Sequence, residues 1–260
     1  MSFLSKILKN TAKVVANQKQ QTSLPALLAK IKLDNYTPTH LKHQNQLQVI
    51  AEIKPKSPSA GSLIGSQNLL NIARIYEQNG TNALSILTDQ VFFGGSLELF
   101  DQIRSQTSLP LLRKDFIIDP YQVYQTKAYR ADLILLIYKA CPDNFVELLS
   151  LSLQLNLQPL VEVYDQQELD FVLPVINRLR AHDKIILGVN NRNLETFQVD
   201  YTHSFQFANL LPKNLLKASL SGIQQVSQAK ELFTKGFNIV LIGQTAISNP
   251  KIITEIRAQN

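Results

Sequence analysis

The sequence predicts an α/β fold, a (β/α)8 TIM barrel carrying an N-terminal helical extension. Three observations support that prediction. Short β-branched or Leu-rich runs alternate with stretches of helical periodicity at a repeat of about 27 residues, the rhythm of right-handed βα units. The runs number eight, the count at which such a parallel sheet closes on itself. Neither a G-x-G-x-x-G after the first run nor a Walker A motif occurs, which argues against the doubly wound open sheet.

Residues 1–45 are expected to form the helical extension and 46–260 a single barrel domain. The opening MSFLSKILKNTAKVVANQKQ is Lys-rich and acid-free, and Phe3, Leu4, Ile7, Leu8, Val14 and Val15 fall near helical spacing. It lacks arginine and a long apolar core, so a helix packed on its own domain is expected in place of a transit peptide or a membrane-surface helix. LPALLAKIK at 24–32 reads as a second helix with Pro25 in its first turn, and the polar residues 34–46 as a link to the first strand. Strands are predicted at 48–54, 83–89, 110–115, 131–137, 158–164, 185–191, 215–221 and 238–244. Helices are predicted at 67–79, 96–105, 120–129, 143–155, 165–180, 224–235 and 246–257.

The formal charge is +6 with a pI near 9.3, a balance that can point to nucleic acid. Its location points elsewhere. Residues 1–45 hold Lys6, Lys9, Lys13, Lys19, Lys30, Lys32 and Lys42 against Asp34 alone, which accounts for the whole excess and leaves the barrel formally neutral. These lysines are expected to be a solvated helix face, and nucleic acid is not an expected partner. Cys141 is the single cysteine, which excludes an intramolecular disulfide and indicates a reducing, cytoplasmic setting. His40, His43, His182 and His203 show no metal-ligand spacing, and no apolar run approaches the roughly 20 residues of a membrane span.

Polar residues gather at the C-terminal ends of the predicted strands, which in a parallel barrel open on one face, where active sites sit. The first of these, in QVIAEIKPKSPSAGS at 48–62, carries Glu52 and Lys54 two residues apart, hence on one side of the strand. Charges inside an apolar run are costly to bury, and their convergence with Lys114 after the third strand and Glu162 on the fifth favours a site over an isolated ion pair. Lysines mixed with carboxylates suit proton transfer at a carbonyl or hydroxyl, and like charge from Lys54 is expected to press the Lys114 pKa down while a carboxylate opposes it. Arg113 and Asp115 are expected to pair structurally, because adjacent strand residues alternate faces. Ser221-Gly222 and Gly243-Gln244-Thr245 follow the seventh and eighth strands, where barrels commonly hold phosphate on backbone N–H groups, and Ser57 and Ser59 could complete the cradle.

Taken together, AEIKPKSPSAG, LTDQVFFGGSLE, LPLLRKDFIIDPYQVYQTKAYRADLILLI, LVEVYD, ILGVNNRNLETFQVD and IVLIG resemble the indole-3-glycerol phosphate synthase family from about residue 48 to the end. The amphipathic start is similar to that family's extra helices before the barrel. The resemblance implies a cofactor-free ring closure of 1-(2-carboxyphenylamino)-1-deoxyribulose 5-phosphate, with loss of carbon dioxide and water, in tryptophan biosynthesis. It implies Lys114 as general acid at the ketone and Glu162 in the later proton removal or dehydration. Lys54 would meet the substrate carboxylate and share in acid catalysis, and Glu52 would orient the lysines. Asn190 and Arg192 would position substrate and the surrounding charges. Phe93 and Phe116 would wall the aromatic ring, while Ser57, Ser221, Gly222, Gly243 and Gln244 would lie at the phosphate. A monomer or weak homo-oligomer acting on a phosphorylated small molecule, away from membranes, is the expected form.

One position departs from the pattern. The family usually reads S-E-S-G-I after the seventh strand, where this chain reads Ser219-Leu220-Ser221-Gly222-Ile223, so a pocket carboxylate is replaced by Leu220. Losing a negative charge beside two lysines should alter their pKa values and any hydrogen bond to substrate. This leaves a paralogue of altered activity or substrate, or a non-catalytic barrel binding a phosphorylated ligand, as alternatives.

Overall fold

A computed structural model describes residues 2–57, 61–62, 69–193 and 195–258. Eight parallel strands close into a barrel: β1 (Gln48–Ile53), β4 (Ala83–Leu87), β5 (Leu111–Lys114), β6 (Leu133–Ile137), β7 (Gln158–Val163), β8 (Ile186–Asn190), β9 (Leu216–Leu220) and β10 (Ile239–Ile242), with β10 and β4 flanking β1. Two short strands, β2 (Lys56–Ser57) and β3 (Gly61–Ser62), pair antiparallel above the end of β1 in sequence. The predicted strands are all present, each shorter than predicted by one to three residues.

Period-two alternation sorts each strand into two faces. Ile50, Leu112, Leu135, Leu160, Ile186, Leu216, Ala218, Leu220, Ile239 and Leu241 join one cluster inside the barrel. Their neighbours Val49, Ala51, Ile134, Val161, Leu187 and Val240 belong to the larger cluster between barrel and helices. The covering helices are α3 (Leu69–Gln78), α4 (Leu97–Arg104), α5 (Pro120–Ala128), α6 (Phe145–Gln154), α7 (Gln166–Leu179) and α8 (Val226–Thr234). A 3₁₀ turn at Tyr201–Phe207 takes the place of a helix after β8, where no helical run is predicted.

The predicted helix at 246–257 is two: α9 (Gln244–Ser248) and α10 (Lys251–Arg257). Pro250 lies between them, and without an N–H it cannot continue the hydrogen-bond ladder of the preceding turn.

The N-terminal extension grips both ends of the barrel. Its helices α1 (Phe3–Gln21) and α2 (Leu24–Leu33) start at the caps Ser2 and Ser23, whose hydroxyls accept from Ser5 N and Ala26 N. Residues 34–46, read from sequence as a link, close the bottom of the barrel. Gln158 exchanges two hydrogen bonds with the Leu41 backbone at 2.8 and 2.9 Å, and Gln48 donates to Lys42 O at 2.9 Å. Leu41 itself enters the interior cluster. Beside this plug, Asp132 accepts from Tyr36 Oη and Thr39 N with one oxygen, and from Arg104 Nη1 and Leu111 N with the other.

Candidate active site

At the opposite end, the C-terminal ends of the strands surround a cavity of about 700 Å3, well within the range of small-molecule sites. Alternation decides what reaches it. On β5, Lys114 shares the inward face of Leu112 and lines the cavity, whereas Arg113 turns outward toward α5. There Arg113 pairs with Asp115 at 2.9 Å and donates to Thr88 Oγ1, Gln122 O and Thr126 Oγ1, the structural pairing expected of both residues. Asp115 in turn accepts from Phe116 N at 2.8 Å, which anchors the loop carrying Phe116.

Glu52 stands between two lysines. Its Oε1 lies 2.6 Å from Lys54 Nζ and its Oε2 lies 3.4 Å from Lys114 Nζ. Burial alone would raise the Glu52 pKa, but the two ammonium groups and their hydrogen bonds outweigh it and hold the carboxyl down at about 2. For Lys114, burial disfavours the charged form, yet Glu52 and Glu162 prevail and its pKa is raised. Of the two opposed influences expected from the sequence, like charge and a nearby carboxylate, the carboxylates prevail, and the cation acting against them is Arg192 where Lys54 was expected. Gly243 makes room for this arrangement, since a Cβ there would lie 2.8 Å from Glu52 Oε1.

Glu162 on β7 is buried and accepts from Asn190 Nδ2 at 2.8 Å through Oε1. Burial pushes its carboxyl pKa up against the pull of Lys114 and Asn190. Asn190 Oδ1 accepts from Arg192 N at 3.0 Å, and Arg192 Nη1 donates to Phe197 O at 3.3 Å, so one short network holds all three inward-facing groups. Phe93 and Phe116, with ring centroids 6.2 Å apart and planes 33° from parallel, form an apolar wall.

Ser221, Gly222, Gly243 and Gln244 also line the cavity. Ser221 and Gly222 are consecutive left-handed residues, φ 70° and 85°, and a Cβ on Gly222 would meet Val199 Cγ1 at 2.7 Å. Thr245 Oγ1 donates to Ile223 O at 2.8 Å and ties the two loops together. The described backbone reaches Ser57 in β2, but its side chain and all of Ser59 lie outside the described residues.

Leu220 is in register with Asn190 on β8 and Leu241 on β10, and is 2% exposed within the interior cluster. It belongs to the layer flooring the cavity and is not among the residues lining it. Conversely, the cavity has walls that sequence reasoning did not assign to it: Phe3, Leu4 and Ile7 of α1, together with Phe197 and Val199. Phe3 meets Phe92 and Phe197 edge-on at 5.6 and 5.1 Å. The helical spacing of the α1 residues was the available signal, but it does not reveal which end of the barrel the helix covers. Among the described residues no group of three His, Cys, Asp or Glu is placed to hold a metal, and no helix is long and apolar enough to cross a membrane.

Comparison with known proteins bears on this geometry. The family model described as indole-3-glycerol phosphate synthase matches residues 4–258. A protein of that name from Rhodopirellula baltica is 37% identical over 264 residues, covering 99% of this chain and 98% of its own. Others so named are 38% identical in Lacticaseibacillus casei, over 92% of this chain and 91% of theirs, and 35% identical in Aliarcobacter butzleri, over 98% and 97%.

Proposed function

The chain belongs to the indole-3-glycerol phosphate synthase family, and from that premise we propose how its own residues divide the reaction. The activity is that of a carboxy-lyase of tryptophan biosynthesis, closing the indole ring with loss of carbon dioxide and water. The observation that carries the assignment is the bridge of Glu52 to both Lys54 and Lys114, facing Glu162 across one cavity.

Lys114 is the general acid. Its raised pKa keeps it protonated near neutrality, ready to hydrogen-bond and protonate the ketone oxygen as the aromatic ring attacks. Lys54 takes the substrate carboxylate until it departs as carbon dioxide, and Glu52 fixes the two ammonium groups in the same frame. Glu162, held by Asn190, takes a proton from the methylene between the nitrogen and the former ketone carbon, as that carbon's hydroxyl leaves as water in the later dehydration. Phe93 and Phe116 stack against the aromatic ring, and Arg192 balances the substrate's charge from the same side as Asn190. Ser57, Ser221, Gly222, Gly243 and Gln244 receive the phosphate, largely through backbone N–H groups at the loops after β9 and β10.

The test follows indole fluorescence from synthetic 1-(2-carboxyphenylamino)-1-deoxyribulose 5-phosphate. The chain contains no tryptophan, so the protein contributes no indole emission of its own. Wild type is expected to give product, and Lys114→Ala to lose about 10²- to 10⁴-fold in kcat, the span typical of a general acid. No product from wild type would overturn the functional assignment, and an equal rate from the variant would overturn the choice of acid.

A further inference from the structure

Behind Glu162 lies a second, much smaller chamber of about 20 Å3. Glu162 and Asn190, with Ile137, form the partition, since all three line this chamber and the large cavity. The far side is made by Glu168, Asn193 and Lys139. A space of this size, with this many polar neighbours, suits a single hydrogen-bonded water.

Glu168 has no role in the chemistry described so far, yet it is only 7% exposed. It sits in the first turn of α7, where Oε2 accepts from Tyr164 N at 2.8 Å. The nearby cation does not neutralise it by direct pairing: Lys139 Nζ contacts Glu195 Oε1 at 3.3 Å. Burial pushes the Glu168 carboxyl up to about 7, with Asp165 and Glu162 acting in the same sense and the Tyr164 N–H and Lys139 against it. Tyr138, on the 3₁₀ turn with Lys139, and His203, stacked on the Tyr164 ring at 4.7 Å, complete the titratable groups packed around it.

We propose that Glu168 is a positioning residue: in its protonated form it donates, through one water in the rear chamber, to the Glu162 carboxylate, keeping that carboxylate ionised and aimed at the substrate. When Glu168 loses its proton the donor disappears and a second negative charge stands behind Glu162. Glu162 stays ionised, but without that donor and with a like charge behind it the carboxylate loses the position in which it meets the substrate. Turnover therefore falls as pH rises through the Glu168 titration.

This rests on Glu162 being the base, and the experiment separates the two. The dependence of kcat on pH is measured for the intact wild type and for E168A, E168Q, K139M and E162Q. Wild type should show a descending limb centred near pH 7. E168A should lose about tenfold below neutrality, and E168Q should recover most of that loss without the limb, because an amide donates at every pH. K139M should move the limb to higher pH, since the cation favouring ionised Glu168 is gone; it decides the matter even if the Glu168 variants do not fold. A limb retained in E168Q, or unmoved in K139M, would overturn the role of Glu168. Full activity in E162Q would instead overturn the reading of Glu162 on which it stands.

Discussion

Glu52 sets the charge balance of the site. With Glu162 it places two carboxylates against Lys54, Lys114 and Arg192 on the cavity wall, leaving an excess of positive charge for a substrate that carries both a carboxylate and a phosphate. Leu220 bears on this balance from below. It occupies the interior face between Asn190 and Leu241, so Leu220→Glu would bring a third carboxylate up from the floor toward the lysines. We expect that substitution to raise turnover by strengthening the acid–base set, at a cost in stability of about 1–3 kcal/mol for a polar group set into an apolar layer. Steady-state kinetics alongside thermal melts would check it, and a variant no faster than wild type would dispose of the idea. At this scale the sequence was legible wherever period two applies: Lys114 inward and Arg113 outward follow from adjacency alone. Leu220 was visible only as a departure from a resemblance, and its place in the floor needed the register of three strands.

Helix α1 acts as an element because Leu4, Ile7, Thr11 and Val15 form one buried stripe beneath a solvated lysine face. Its first two turns line the cavity, so part of the cavity wall comes from outside the barrel. Apolar contact of that kind is uniform binding, made equally in the ground and transition states. Phe3→Ala combined with Ile7→Ala should therefore raise KM by about tenfold while kcat changes much less, since a lost uniform contact appears in KM alone. A fall in kcat at unchanged KM would assign α1 to the chemical step instead. The amphipathic spacing predicted a helix packed on its own domain, but a face does not specify an address. That depends on residues 34–46, whose polar composition hides the one residue, Leu41, that enters the barrel interior. The split between α9 and α10 had a visible cause in Pro250, whereas the flanking apolar periodicity continues through it and favours a single helix.

Across the whole molecule the two ends of the barrel do different work. The top collects charged groups whose pKa values are displaced by one another, and the bottom is anchored on Asp132, whose two oxygens accept from Tyr36 and Thr39 of the extension, Arg104 of α4 and Leu111 at the start of β5. Neither Asp132 nor Arg104 lines the cavity, and the Arg104–Asp132 pair at 3.0 Å is buried on both sides. Removing one partner strands the other, which costs about 3–5 kcal/mol in a buried pair. Asp132→Ala should therefore lower the free energy of urea unfolding by that order and loosen residues 36–39 from the barrel. The protein that remains folded should keep wild-type kcat, because the cavity end is built from other side chains. Lys114→Met should abolish turnover while costing less stability than Asp132→Ala, since Glu52 keeps Lys54 as an ammonium partner at 2.6 Å and the Lys114 side chain is partly exposed. Measuring kcat and unfolding free energy on both variants would decide the matter. If Asp132→Ala lost kcat in the folded protein, the plug at the bottom would have to be transmitting strain through the barrel to the lysines at the top.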